Sequence, residues 1–156
     1  MVNWEIREAT LDDVPSIVAM VRMGIKEKAF HNREVSDESF LDWAFTNRER
    51  GYALYLCEND SESLGYIDSI VGRWGVGFIT GIYVNPQYRK QGIGEGLMKK
   101  SHDRFLERDC HKARLEVFAD NKGAISFYSR VGFVEEGYLQ NDEDKRDVII
   151  MSRFLG

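Results

Sequence analysis

The stretch from Phe78 to Ala119 constrains this chain more than any other. Phe78 to Val84 and Ala113 to Ala119 read as strands, rich in aromatic and aliphatic residues, and about Gly92 to Arg108 between them reads as a helix. A strand, a helix and a second strand in that order call for a parallel pair joined by a crossover. The sheet therefore contains at least one parallel step.

The flanking segments add antiparallel strands. Trp4 to Arg7 alternates like a first strand, and Thr10 to Asp13 offers capping side chains. Val14, Ile17, Val18 and Val21 then make the apolar stripe of a first helix, with Gly24 near its end. Ser36 caps a second helix whose apolar face is Phe40, Leu41, Ala44 and Phe45, closed by Gly51. Tyr52 to Glu58 and Leu64 to Val71 flank the polar connector Asn59 to Ser63 and, with Phe78 to Val84, predict an antiparallel meander. A short helix from Asn121 to Arg130 follows, then strands at Val134 to Gln140 and Arg146 to Phe154 around the acidic tip Asn141 to Lys145. The sum is a mixed α/β sheet in a single domain spanning residues 1–156, with no internal repeat or linker.

Composition removes several function classes. A net charge of −5 argues against sequence-independent binding to nucleic acid or to an anionic membrane. The longest uncharged stretch, Trp74 to Tyr88, is shorter than the roughly 20 apolar residues a membrane span needs. The N-terminus, with Glu5, Arg7 and Glu8, lacks the apolar core of a secretory signal, so a cytoplasmic protein is expected. Cys57 and Cys110 suggest neither a disulfide framework nor a metal site, and both are expected as buried thiols.

The chemistry is concentrated in Asn85-Pro86-Gln87-Tyr88-Arg89-Lys90-Gln91-Gly92-Ile93-Gly94-Glu95-Gly96, at a strand-to-helix junction. Pro86 ends the strand, and Gly92 and Gly94 remove side chains where the helix begins, so unpaired N–H groups can face one ligand. The helix N-terminus carries about half a positive charge, and Arg89 and Lys90 are expected to add mobile cations. A phosphate or pyrophosphate suits such a site. A dinucleotide fingerprint would need a glycine at Leu97, and no Walker sequence is present. The plainer alternative is that the glycines only shape the turn.

The Arg89-x-x-Gly92-x-Gly94 sequence resembles the pyrophosphate motif of the GNAT superfamily of acetyl-CoA-dependent N-acetyltransferases. The likeness continues through Leu115-Glu116-Val117, Asn121, Ala124, Phe127-Tyr128 and Gly132-Phe133. It implies a mostly antiparallel sheet of about six to seven strands with about four helices, its parallel pair splayed into a cleft for acetyl-CoA. It also implies that Ile82, Tyr83 and Val84 pair with the pantetheine arm, that Arg89, Lys90, Gln91, Gly92, Ile93 and Gly94 receive the pyrophosphate, and that Asn121 contacts the cofactor arm while capping its own helix. The expected activity is transfer of an acetyl group to a primary amine, without metal, by direct attack in a ternary complex. The alternative is a non-catalytic acyl-CoA sensor or partner-binding module.

Acetyl transfer needs a neutral amine, a stabilised oxyanion and a proton for the departing thiolate. A backbone N–H near Val84 is the oxyanion candidate, and Tyr128 the proton donor. Tyr128 also falls on an apolar stripe with Ala124, Phe127 and Val131, so a core role competes. Glu116 is the candidate base, because a carboxylate inside an apolar strand is costly unless hydrated, paired or used. Glu116, Asn121 and Tyr128 share the spacing of the ribosomal-protein alanine N-acetyltransferases, where the matching Glu and Tyr act as base and acid. The competing role for Glu116 is a salt bridge to Arg114 or Arg146. The chain departs from that subfamily in Val134 to Gln140, which lacks the paired tyrosines. It departs from many superfamily members in having Thr80 where they carry a glutamate.

The loop from Ile25 to Ser36 and the tip Asn141 to Lys145 are implied to border the acceptor. Their acids, Glu34, Asp37 and Glu38 with Asp142, Glu143 and Asp144, would attract a cationic amine or merely be solvated. His31 reads as an ordinary loop residue, and Trp74 as either cleft wall or packing. A final strand left exposed would suit a homodimer.

Overall fold

The computed structural model describes residues 3–156. Seven strands form one sheet: β1 (Glu5–Glu8), β2 (Ala53–Glu58), β3 (Ser63–Val71), β4 (Val76–Val84), β5 (Lys112–Phe118), β6 (Val134–Leu139) and β7 (Val148–Phe154), in the spatial order β1-β2-β3-β4-β5-β7-β6. Four helices accompany them: α1 (Val14–Lys26), α2 (Asp37–Thr46), α3 (Ile93–Glu107) and α4 (Lys122–Arg130). Every neighbouring pair is antiparallel except β4 and β5, the pair joined through α3.

The two faces bury separate clusters. On one, α3 and α4 cover Ile67, Ile79, Leu97, Phe105, Leu115, Val117 and Met151. On the other, Val14, Ile17, Val18 and Val21 of α1 and Phe40 of α2 pack on Leu56, Tyr66 and Tyr83. Ser36 caps α2 as expected, accepting a bond from the Ser39 N–H at 3.0 Å. The α2 stripe is thinner than its spacing predicts. Phe40 is buried, whereas Phe45 is exposed beneath the Arg48 guanidinium, because α2 overhangs the sheet rather than lying flat on it.

The expectation of an exposed final strand fails. β7 is inserted between β5 and β6 and hydrogen-bonded on both sides, so the free edges are β1 and β6. The dimer expectation loses that support. Both cysteines are free and buried. No helix of the described residues is long and apolar enough to cross a membrane.

The parallel pair is short. β4 and β5 are in register only at Val76–Lys112, Gly77–Ala113 and Phe78–Arg114. Beyond that point β4 stays paired with β3 as far as Val84 opposite Gly65, and β5 stays paired with β7 as far as Phe118 opposite Val148. The two strands part, leaving an open backbone edge on each. The register of β3 on β4 shifts at Asp68/Ser69, where Asp68 faces Gly81 and Ser69 faces Ile79, so Thr80 bulges beside the point of parting.

Candidate active site

The turn implied to receive a pyrophosphate stands at the start of α3. Gly92, the residue before the helix, sits at φ +87°, a left-handed conformation that is strained for residues with a Cβ. An added Cβ there would meet nothing within 4 Å, so conformation and not space is what calls for glycine. Gly94 answers to space: its Cβ would lie 3.1 Å from the Phe127 ring. Among the described residues, no backbone N–H from Lys90 to Glu95 donates to a carbonyl, and the first to do so is Gly96, bonded to the Gly92 oxygen at 3.0 Å. Ile93 is buried in the core and offers only its N–H to a ligand.

Arg89 is not the mobile cation its position suggests. Its Nε donates to the Val84 carbonyl and its Nη2 to Glu27 Oε1, each at 2.8 Å, while the guanidinium lies over the Tyr83 ring. Tyr83, buried under α1, also donates its hydroxyl to Glu27. Glu27 thus ties the end of α1 to the end of β4, a role that no local sequence pattern marks. Lys90 remains exposed, in a left-handed conformation at φ +63°. Gln91 is exposed and reaches back to the Gln87 carbonyl at 3.5 Å. Asn121 caps α4, its Oδ1 accepting from the Ala124 N–H at 3.2 Å.

Tyr128 takes the core position that its apolar stripe predicts. Its ring is buried against Phe127 and Phe133, and burial alone raises the phenol well above its ordinary value, so it stays protonated. Its hydroxyl makes no side-chain hydrogen bond among the described residues. Tyr66, packed on the opposite face of the sheet, is raised by burial, then by Asp68, and also senses the Tyr128 oxygen.

Glu116 forms no ion pair among the described residues. Arg146, one of its two expected partners, bonds Asp120 at 2.7 Å and stacks 3.5 Å from the Phe118 ring centroid, while Arg114 lies over Phe78. Glu116 instead lines a cavity of about 690 Å³ on the α1/α2 face, where partial burial, then Glu143 and Asp142, raises its carboxyl above the usual range. His31, Arg33 and Glu34 of the α1–α2 loop and Glu143 of the β6–β7 tip close the same cavity. The loop and tip meet there, the Asn32 N–H donating to Asp144 Oδ2 at 2.6 Å. Trp74 is 88% exposed in the β3–β4 turn and is absent from the cavity wall.

Asp68 was missed by the sequence reading. It sits in the middle of the apolar strand β3, 5% exposed, and lines the cavity beside Thr80. The signal that singled out Glu116, a carboxylate in an apolar strand, applied equally here.

A family model described as acetyltransferase (GNAT) family matches residues 16–133. The chain belongs to the GNAT acetyltransferase family. An uncharacterized N-acetyltransferase of Methanocaldococcus jannaschii is 27% identical over 86% of this chain, which spans 62% of that relative's length. The thialysine N-epsilon-acetyltransferase of Mus musculus is 32% identical, covering 89% of this chain and 91% of its own. Among solved structures, the GNAT superfamily phosphinothricin acetyltransferase of Sinorhizobium meliloti, in complex with AcCoA, superposes at a TM-score of 0.86 with 19% identity over 98% of this chain and 89% of that one. As a GNAT enzyme the chain is an acyltransferase, and the parting of β4 from β5 is the cleft expected from its resemblance.

Proposed function

We propose that this GNAT enzyme moves an acetyl group from acetyl-CoA to a primary amine by direct attack in a ternary complex. The observation that carries the reading is one gap with two dissimilar ends. Where β4 leaves β5, an array of unpaired N–H groups opens at α3 on one side, and a cavity with more acids than bases opens on the other. A pyrophosphate suits the first and a cationic amine the second.

Acetyl-CoA supplies an activated acyl group as a thioester. The N–H groups from Lys90 to Gly94 hold its pyrophosphate, with Lys90 adding charge and Arg89 bracing the loop through Glu27. The open edge at Ile82, Tyr83 and Val84 pairs with the amide-bearing arm as an added strand would, and Asn121 closes over it. A backbone N–H near Val84 stabilises the oxyanion. Glu116, unpaired and more basic than an ordinary glutamate, collects the proton the amine loses, directly or through water. Tyr128, kept protonated by burial, donates to the leaving sulfur.

Neither cysteine lines the cavity, and burial pushes the Cys57 thiol up to about 11, which leaves it a poor nucleophile at neutral pH. Direct attack needs no acyl-enzyme. The test is incubation of the purified protein with acetyl-CoA and a mixed panel of primary amines, reading thiol release and product masses. Amine-dependent thiol release with one acetylated product per thiol is expected. Acetyl-CoA binding without amine-dependent release would instead favour the non-catalytic sensor.

A further inference from the structure

We propose that Asp68 is the subsite that binds the acceptor as its ammonium, before Glu116 takes the proton. This rests on the amine-acetylation reading above. Asp68 is a carboxylate with only 5% of its surface exposed, and among the described residues it has no salt-bridge partner. Its hydrogen bonds come from neutral donors: the Thr80 hydroxyl to Oδ1 and the Tyr52 hydroxyl to Oδ2, each at 2.9 Å. A buried carboxylate bonded by neutral hydroxyls and without an ion pair is costly, and a cationic ligand supplies a direct counter-charge.

The location fits the reacting amine and not a remote substrate tail. Thr80 is the bulged residue of β4, two positions beyond Phe78, where pairing with β5 ends, and Asp68 is opposite Gly81 in the neighbouring strand. An added Cβ at Gly81 would come within 2.9 Å of Asp68 Oδ1 and 3.0 Å of the Tyr66 hydroxyl, so glycine keeps this corner open. Burial raises the Asp68 carboxyl despite the opposing effect of both hydroxyls, of the Trp43 indole and of Arg33, as expected of a carboxylate without a bound cation.

The probes are benzylamine, charged at neutral pH, and O-benzylhydroxylamine, a neutral amine of similar shape that suits the aromatic lining of Phe30, Phe40 and Phe78. Asp68→Asn is nearly isosteric and keeps partners for Thr80 and Tyr52. It is expected to raise the KM of benzylamine, and its Kd in calorimetry, at least about tenfold. The KM of O-benzylhydroxylamine and that of acetyl-CoA should stay within about twofold. Equal losses for both probes would mean a merely structural role, and no loss for either would mean no role; each overturns the inference and leaves amine acetylation standing. If the native protein acetylates other primary amines of the panel but neither binds nor acetylates benzylamine, the inference falls and amine acetylation stands; if no amine of the panel is acetylated, both fall. Should Asp68→Asn not fold, Thr80→Val replaces it, with a smaller rise, about threefold, confined to benzylamine.

Discussion

The two sides of the gap between β4 and β5 are built from different materials. On the α3 side the groups on offer to a ligand are backbone N–H donors, left unpaired because Gly92 takes φ +87° and a helix begins. On the α1/α2 side they are side chains drawn from four separated places: Asp68 on β3, Glu116 on β5, the loop near Arg33 and the tip at Glu143. A backbone site is specified by a short local sequence, since only nearby residues set φ and ψ. A side-chain cavity exists only after distant strands and loops have met. The difference teaches where the chain's specificity resides: the first side suits a ligand shared across a family, and the second suits one chosen by this chain.

Substitutions can break that comparison or sharpen it. The largest effect is expected from Tyr128→Phe, which removes the proton donor and should lower kcat by about 10²-fold or more while the KM for acetyl-CoA stays nearly constant. Unchanged turnover in steady-state assays would reduce Tyr128 to packing. Glu116→Gln should lower kcat by roughly 10²-fold at neutral pH and abolish the acid limb of the rate profile. In the native enzyme that limb is expected above the usual glutamate range, because the folded carboxyl is raised and the proposed base must be ionised to act. A profile identical in both proteins would remove Glu116 as the base.

Smaller effects separate the two sides further. Gly92→Ala places a Cβ in open space but in a left-handed conformation, a strain of about 1–2 kcal/mol. Roughly tenfold weaker acetyl-CoA binding is therefore expected in calorimetry, with the amine KM untouched. A shift in amine KM instead would mean that the two sides are not independent. The smallest effect concerns neither side. His102, buried beside Phe133 and Arg153, has its imidazole pushed down to about 4 by burial and then by the Arg153 charge. The unfolded chain takes up a proton near pH 6.5 and the folded chain does not until near 4, so stability falls as pH drops through that window. His102→Leu should flatten melting temperature against pH between those limits, whereas an unchanged slope would place the acid sensitivity elsewhere.

The cofactor side was legible in the sequence because its signals are local. The turn ending at Gly92, the helix after it and the cap at Asn121 appear within a residue of their expected places. The mobility assigned to Arg89 was wrong, since Glu27 lies 62 positions away and no periodicity links them. Glu116 was found by its incongruity within an apolar strand, but its lack of an ion pair depended on where Arg146 turned, which was toward Asp120 and Phe118. Asp68 carried the same incongruity. Its meaning emerged only when the bulge at Thr80 set a hydroxyl against it and the α1–α2 loop roofed it over.

By itself the sequence determined the elements, the parallel step and the glycine turn before α3, because helix, strand and turn preferences act over a few residues at a time. Tertiary structure alone decided how far β4 follows β5 before parting, which strand lies at the edge, and which carboxylates share one cavity. Those outcomes depend on register, bulges and the meeting of segments separated by many residues, and they are settled only when the whole core packs.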